Sequence, residues 1–155
     1  HFTEAVLSGL AAREIDRAFI ELSIGTGTFA PLRAQHFEQN RLHKEHYWIT
    51  QEAAAKIKDA PRVTAVGTTT LRALESTVLA CGQIRAGAYS TEIFLKPPDQ
   101  IRSVQGLVTN FHLPESSLFM LVCAFAGTQL MQEAYARAVR SGFRFYSYGD
   151  AMLII

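Results

Sequence analysis

Four short stretches of the sequence bring together residue types that can carry out chemistry or hold a polar ligand. Histidine is the usual proton carrier near neutral pH, and the guanidinium of arginine is a fork of donors that suits a carboxylate. Glycine lets a ligand approach the backbone closely. In chain order the stretches are 23–30 (SIGTGTFA), 43–47 (HKEHY), 66–72 (VGTTTLR) and 109–117 (TNFHLPESS). Each also has an ordinary structural interpretation.

The first stretch is rich in glycine and formally matches the dinucleotide fingerprint G-x-G-x-x-A through Gly25, Gly27 and Ala30. Pro31 follows, and no long amphipathic helix begins there, so the helix N-terminus that normally binds phosphate is missing from the pattern. The glycines would still allow a ligand to approach the backbone. A tight turn that needs positive φ explains them equally well.

The stretch 66–72 leads from a predicted strand through Gly67, Thr68 and Thr69 into a predicted helix, with Arg72 one turn inside it. Free N–H groups at a helix start, together with a cation, would suit a carboxylate or a ribose. The alternative is structural: Thr68 or Thr69 caps the helix, and Arg72 pairs with Glu75. A cap is the more usual role of any single threonine.

The two remaining stretches contain the histidines of interest. Asn110 and His112 stand where a predicted strand gives way to a loop, so His112 is either a proton carrier or a surface residue beside Pro114. His43 and Glu45 suggest acid–base work or RNA contact, with a polar surface loop as the alternative. The spacing is not H-E-x-x-H and no third ligand follows, so no metal site is predicted. Without a G-x-S-x-G elbow, no serine hydrolase triad is indicated either.

Predicted strands and helices alternate along the chain, which favours an α/β fold: a mainly parallel sheet with helices on both faces, as a three-layer α/β/α sandwich. In such a sheet, ligands bind where loops leave the carboxyl ends of strands. The predicted strands are 18–24, 46–49, 63–66, 93–95, 107–111, 143–148 and 152–155. The predicted helices are 1–13, 51–58, 70–81, 115–126 (just after Pro114) and 129–140. The strands 63–66 and 151–155 are expected to be buried, and 33–43 to be irregular.

The overall composition limits the class of protein and the partners that the chain can have. The 155 residues suit one α/β domain spanning 1–155, and 48% hydrophobic residues exclude a disordered chain. A net charge of +1 gives no general attraction to nucleic acid or membrane, so any RNA contact must come from a local patch. Cys81 and Cys123 are expected to be reduced, buried thiols. The longest apolar run, 118–126, is too short to cross a bilayer. Both ends of the chain look cut from something larger.

Taken together and in order, longer runs around these stretches closely resemble the S-adenosylmethionine:tRNA ribosyltransferase-isomerase family of queuosine biosynthesis. The runs are HFTE, GTGTF, LHKEHY, AVGTTTLRALES, GLVTNFHLPESSLFMLVCAFAG and FRFYSYGDAML. The resemblance covers essentially the whole chain. It implies that the chain is the C-terminal portion of a two-domain enzyme, in the larger catalytic α/β domain, without the N-terminal segment and the β-barrel.

The family is known to transfer the ribosyl group of S-adenosylmethionine to 7-aminomethyl-7-deazaguanine at the tRNA wobble position and to isomerise it, giving epoxyqueuosine with release of adenine and methionine. The resemblance therefore implies S-adenosylmethionine as a substrate, no permanently bound cofactor, tRNA as a partner, no membrane association and a cytoplasmic location. An incomplete α/β domain can also pair with a second copy to cover an exposed sheet edge, so a homo-oligomer is one expectation.

The chemistry of that reaction, together with the positions of residues in these motifs, leads to a hypothesis for their roles. Proton transfer is expected from His43 or His112, with Glu45 or Asp150 orienting or assisting, and Arg72 is expected to bind the methionine carboxylate. The cofactor-binding residues are expected to be Gly25, Gly27, Thr28, Phe29, Gly67, Thr68, Thr69, Arg72 and Asn110. Phe29, Phe111 or Tyr148 would stack on adenine or on the tRNA base.

Several positions depart from the family's usual pattern. Ser23 stands where the family usually has histidine, Lys44 where it has serine, and His46 where it has tyrosine. Thr70 and Leu71 replace Ser-Val, and 93–99 differs from the usual turn. Two other interpretations remain: a non-catalytic RNA-binding or assembly module, which would bind tRNA without S-adenosylmethionine, and an ordinary methyltransferase, which would produce S-adenosylhomocysteine.

Overall fold

The computed structural model describes residues 1–23, 25 and 34–155, and within them six helices and six strands. The helices are α1 (Glu4–Ala11), α2 (Ala34–Gln39), α3 (Gln51–Asp59), α4 (Thr68–Cys81), α5 (Ser117–Ala126) and α6 (Thr128–Arg140). The strands are β1 (Glu21–Ser23), β2 (Arg41–Ile49), β3 (Thr64–Val66), β4 (Gly87–Ile93), β5 (Gly106–Asn110) and β6 (Ala151–Ile154).

The strands form two small sheets, one ordered β1-β2-β4 and the other β3-β5-β6. A mixed α/β fold is therefore confirmed, but the prediction of a mainly parallel sheet in a three-layer sandwich is wrong. Among the described strands only β3 and β5 run parallel, and the three other pairings are antiparallel. The reason lies in β2, where Tyr47 and Ile49 are buried while Trp48 between them is 50% exposed. That alternation is typical of an antiparallel sheet with one face in water.

Helix ends follow local chemistry in some places and not in others. Thr50 caps the helix predicted over 51–58 by accepting a hydrogen bond from the Ala53 N–H at 3.1 Å, and Ser116 caps α5 in the same way. The cap predicted at Thr68 or Thr69 is wrong, because both residues lie inside α4. Gly67, with φ of 92°, is the residue that precedes this helix, and no described side chain caps it.

The core lies where α4, α5 and the two sheets meet. Its fully buried side chains come from both sheets and both helices: Ile49, Leu71, Leu107, Leu121 and Val122. Helix α4 contacts β3, β4 and β5, so it packs against both sheets at once. Burying side chains of this size contributes about 1.5–3 kcal/mol each. Because α4 packs against both sheets, it is the element that holds them together.

Three expectations about the strands are wrong. Residues 143–148 form turns and bends rather than a strand, because Gly142 and Tyr146 have φ of 73° and 69°, which no strand accommodates. Strand β6 is not buried, since Leu153 is 61% exposed, and β3 is not covered on both faces, since Val66 is 47% exposed. The stretch expected to be irregular, 33–43, contains α2 and the start of β2 within its described part. Of the two thiols, Cys123 is buried and Cys81 is half-buried, and both are free.

Candidate active site

The parallel pairing of β3 with β5 places two of the predicted stretches at one edge of a sheet. Thr64 pairs with Gly106 and Val66 with Val108, so both strands end on the same side. The Gly67 N–H donates to the Val108 carbonyl at 2.8 Å, which fixes the start of α4 beside β5. Strand β6 runs the opposite way, so its first residue, Ala151, lies opposite Asn110. We call this place the carboxyl edge.

The carboxyl edge therefore gathers most of the predicted site residues of this sheet: Gly67, Thr68, Thr69, Asn110, His112 and Asp150. Thr68 is buried and Thr69 is half-buried. Because no described side chain caps α4, the N–H groups of its first turn are without a side-chain acceptor and carry the positive end of the helix dipole. Such a helix start favours a negatively charged or hydroxyl-bearing ligand group.

His112 is held on two sides. Its Nε2 lies 2.8 Å from Thr109 Oγ1, and its backbone N–H donates to the Tyr135 hydroxyl at 3.0 Å. Burial lowers the pKa of the imidazole from 6.5 to about 4. The ring is therefore neutral at pH 7, and a neutral imidazole has one nitrogen able to accept a proton. Because the Thr109 hydroxyl can donate or accept, the geometry does not fix which nitrogen carries the proton.

Asp150 lies at the same edge but is occupied by its own loop. Its Oδ2 accepts from the Arg144 backbone N–H at 2.7 Å, and its Oδ1 lies 3.4 Å from Arg144 Nη2. The Arg144 N–H lowers the pKa of the Asp150 carboxyl, which is therefore ionised at neutral pH. The Asp150 carbonyl oxygen lies 3.4 Å from Asn110 Nδ2, which in turn lies 3.3 Å from His1 Nε2. Asp150 thus positions Asn110 and the loop, and an ionised carboxylate cannot serve as a proton donor.

A second group of predicted residues lies between α4 and the β1-β2-β4 sheet. Arg72 Nη1 and Glu45 Oε2 are 2.7 Å apart, and the two side chains are only 3% and 1% exposed. Arg72 Nε also donates to the Ile93 carbonyl at 3.2 Å. Burial lowers the pKa of Arg72, and the charge of Glu45 opposes that shift. Among the described residues, Arg72 Nη2 has no hydrogen-bond partner.

The predicted alternative partner of Arg72 is wrong. Glu75 turns away from it, and its Oε2 accepts the backbone N–H groups of Arg102 and Ser103, both at 2.9 Å. Arg72 instead reaches an acid that lies 27 residues earlier in the chain. Four residues of helix from Thr68 to Arg72 rise about 6 Å, so the Glu45–Arg72 pair lies about one turn beyond the carboxyl edge.

His43 lies on β2 and is exposed, with its ring centroid 5.7 Å from that of His36. His36, on α2, is 8% exposed and was not singled out from the sequence, where its stretch was expected to be irregular. His36 could have been found only from its pairing with His43, which depends on the packing of α2 against β2.

Other predicted positions lie away from these two groups. Gly25 is exposed, and no atom lies within 4 Å of where its Cβ would be, so nothing described crowds it. Gly27, Thr28 and Phe29 lie outside the described residues. In the part of the chain that the structure covers, no group of three His, Cys, Asp or Glu side chains could hold a metal ion. No helix in that same part is long and apolar enough to span a membrane.

Comparison with known proteins gives a consistent result along the whole chain. The family model described as "Queuosine biosynthesis protein" matches residues 1–154. The chain is 50% identical over 158 residues to the S-adenosylmethionine:tRNA ribosyltransferase-isomerase of Anaeromyxobacter sp. (strain Fw109-5), covering 99% of this chain and 46% of that protein. It is 48% identical over 159 residues to the enzyme of the same name from Hyphomonas neptunium, covering 100% of this chain and 45% of that protein.

A solved structure agrees with the fold. The crystal structure of S-adenosylmethionine tRNA ribosyltransferase from Thermotoga maritima matches with a TM-score of 0.80 and 37% sequence identity, covering 100% of this chain and 50% of that one. The chain thus spans about half the length of the relatives that it matches.

Proposed function

Because this chain belongs to the queuosine biosynthesis protein family, we propose that it is part of an enzyme that transfers the ribosyl group of S-adenosylmethionine to tRNA and isomerises it. The acceptor is 7-aminomethyl-7-deazaguanine at the wobble position, the product is epoxyqueuosine-tRNA, and adenine and methionine are released. The observation that most supports this proposal is the 50% identity to a protein named for that activity across 99% of the chain. The same tRNA substrate makes the cytoplasm the proposed location.

The geometry supports a division of this reaction between the two groups of residues. The 5′ carbon of S-adenosylmethionine is acidified by its sulfonium, so a base removes a proton there before the amine attacks the ribose and adenine departs. His112 is neutral at pH 7 and lies at the carboxyl edge beside Asn110, so we assign it this proton. Gly67, Thr68 and Thr69 would hold the ribose hydroxyls at the start of α4.

Arg72 is the proposed partner of the methionine carboxylate through its Nη2, the one nitrogen of its guanidinium with no described partner. Because the side chain is only 3% exposed, a carboxylate reaches it only if the covering side chains give way. Glu45 would then keep the guanidinium in place from the other side. His43, exposed on β2 beside His36, is the alternative base, and it would act from the other sheet.

An alternative function is tRNA binding without catalysis. It predicts an affinity for tRNA with no release of adenine. The two functions share a partner and differ in chemistry, so one assay separates them.

The test is release of adenine from S-adenosylmethionine by this chain, with and without tRNA carrying the aminomethyl deazaguanine. Release that depends on this tRNA supports the proposed reaction. If the chain alone is inactive, it is joined to the part that its relatives have in addition, and the assay is repeated. No release by the complete protein would refute the reaction, and tRNA binding by the same sample would then support the non-catalytic alternative.

A further inference from the structure

The segment between α6 and β6 combines exposed aromatic rings with arginines. Between Glu133 and Asp150 the sequence has three arginines and no acidic residue, although the whole chain is nearly neutral at +1. The arginines are exposed, Tyr146 is 62% exposed and Tyr148 is 96% exposed. We call these five residues the arginine–tyrosine surface: Arg137, Arg140, Arg144, Tyr146 and Tyr148.

The loop that presents the tyrosines is held firmly to the carboxyl edge. The Tyr146 N–H donates to the Phe111 carbonyl at 3.0 Å, and the Gly149 N–H donates to the Tyr146 carbonyl at 2.9 Å. A Cβ on Gly149 would lie 2.4 Å from the carbonyl oxygens of Arg144 and Phe145, so the turn closes too tightly for any side chain there. These contacts tie the backbone of the loop at Tyr146 to Phe111, the residue between Asn110 and His112.

The aromatic residues of this loop divide into two sets with different environments. Phe143 and Phe145 both contact Phe111, with ring centroids 5.5 and 5.4 Å from it; Phe145 packs against the core, whereas Phe143 is 45% exposed. Tyr146 and Tyr148 have no such role, because most of each ring is in solvent. Their exposure is therefore not explained by the stability of the fold.

The chemistry of the surface favours an unpaired nucleobase as its partner. Sites for small molecules are concave and bury most of the ligand, whereas a ring that is 96% exposed can only offer one open face. Aromatic faces beside arginines are the usual platform for single-stranded nucleic acid, since bases stack on the rings while arginines contact phosphates. Arg144 stands in the same loop as the tyrosines, and Arg137 and Arg140 lie in the last turn of α6, the helix that leads into that loop.

We propose that the arginine–tyrosine surface binds single-stranded RNA, with Tyr148 and Tyr146 stacking on unpaired bases of the tRNA anticodon loop. The identity of the RNA rests on the proposed function, but the surface is argued from its own exposure, charge and geometry. Bases stacked there lie beside the carboxyl edge, so the surface would deliver the acceptor base to the residues that hold the ribose.

The first experiment measures binding of a fluorescein-labelled anticodon stem–loop RNA to the chain by anisotropy. Tyr148→Ala is expected to weaken binding about 5- to 150-fold, the range found when one stacking ring is removed. Phe19→Ala is the control, because Phe19 is 76% exposed but lies before β1, outside the five residues of this surface, and it should leave the affinity unchanged. Arg140→Gln should lower the slope of log affinity against log salt by about 0.7, as expected for one phosphate contact to a single strand.

The second experiment observes the stack directly. Trp48 is the only tryptophan in the chain, so Tyr148→Trp in a Trp48→Phe background places the sole indole on the surface. RNA should quench its fluorescence while the affinity stays within about threefold, because a larger ring stacks at least as well.

Equal RNA affinity in the parent, Tyr148→Ala and Tyr146→Ala proteins, each folded by circular dichroism, would overturn the inference. An absence of quenching would also overturn it. If the tyrosine variants changed only the mass measured by sedimentation, a second copy of the chain would cover the surface, and the inference would again be overturned. Adenine release is read separately. Normal release with unchanged affinity refutes the surface and leaves the reaction intact, whereas stacking without release by the complete protein refutes the reaction and leaves the surface intact.

Discussion

Replacing Arg72 by methionine tests the energetic role of the ion pair between α4 and the β1-β2-β4 sheet. The substitution keeps most of the volume but removes the guanidinium from a carboxylate that is 1% exposed, together with the hydrogen bond to the Ile93 carbonyl. Removing one partner of a buried pair costs about 3–5 kcal/mol, because the other charge is left in a poorly solvated place. That is a large part of the total stability of a domain, which is about 5–15 kcal/mol.

The assay is equilibrium unfolding in urea. With a slope of about 2 kcal/mol per M, the Arg72→Met midpoint should fall by about 2 M. The matched control is Arg41→Met, since Arg41 also faces a glutamate, Glu92, but the pair is 3.6 Å apart and the side chains are 69% and 41% exposed. Its midpoint should not move measurably, because exposed pairs are screened by water.

The double variant Glu45→Leu with Arg72→Met tests whether the loss of stability comes from the buried charge of Glu45. Replacing both charges by apolar groups of similar size is often neutral, so the double variant should recover most of the stability that Arg72→Met loses. If Arg72→Met and Arg41→Met shift the midpoint equally, or if the double variant is no more stable than Arg72→Met, then the pair is not energetically buried and the reasoning fails.

Three further predictions concern the carboxyl edge. The pKa of His112 is about 4 in the folded chain, against an ordinary value of 6.5, so its contribution to stability is present above pH 6.5 and is lost as the pH falls towards 4. Over that pH range, the difference in unfolding free energy between the parent and His112→Gln should change by up to about 3 kcal/mol. A difference that stays constant with pH would contradict the burial of His112. In the complete enzyme, His112→Gln should slow adenine release by about 100-fold or more while His43→Gln slows it less, and near-normal rates in both variants would remove histidine from the acid–base role. Gly149→Ala should lower the melting temperature by several degrees, about 5 °C or more, because its Cβ would lie 2.4 Å from two carbonyl oxygens, and an unchanged melting temperature would show that the loop relaxes freely.

Local patterns in the sequence were sufficient where a short-range rule decided the structure. The helices predicted over 51–58, 70–81 and 129–140 correspond to α3, α4 and α6, because helical spacing and caps act within a few residues of one another. The grouping of Gly67 with Asn110 was also predictable, because β3 and β5 are parallel and their carboxyl ends must share an edge.

Long-range pairing was not predictable from the same patterns. The sequence places Glu75 one turn from Arg72, yet the arginine binds Glu45, because the packing of α4 against β2 and β4 brings that acid closer. The antiparallel sheet was missed because residues 87–93 have a weak strand pattern, with Gly87, Ser90 and Glu92 among them. In 143–148 the alternating aromatics predicted a strand, whereas Phe145 packs against the core and Phe143, Tyr146 and Tyr148 are exposed.

Helix α4 alone sets the distance between the two halves of the candidate site, the carboxyl edge and the Glu45–Arg72 pair. Its first turn lies at the carboxyl edge, its second turn carries Arg72 to the other sheet, and Glu75 anchors it to the backbone of Arg102 and Ser103. An inserted residue between Thr69 and Arg72 would turn the guanidinium by about 100° and advance it about 1.5 Å. The distance between the sites proposed for the ribose and for the carboxylate is therefore set by the number of helical residues between Thr68 and Arg72. Insertions and deletions should be tolerated on either side of α4 but not within its first two turns.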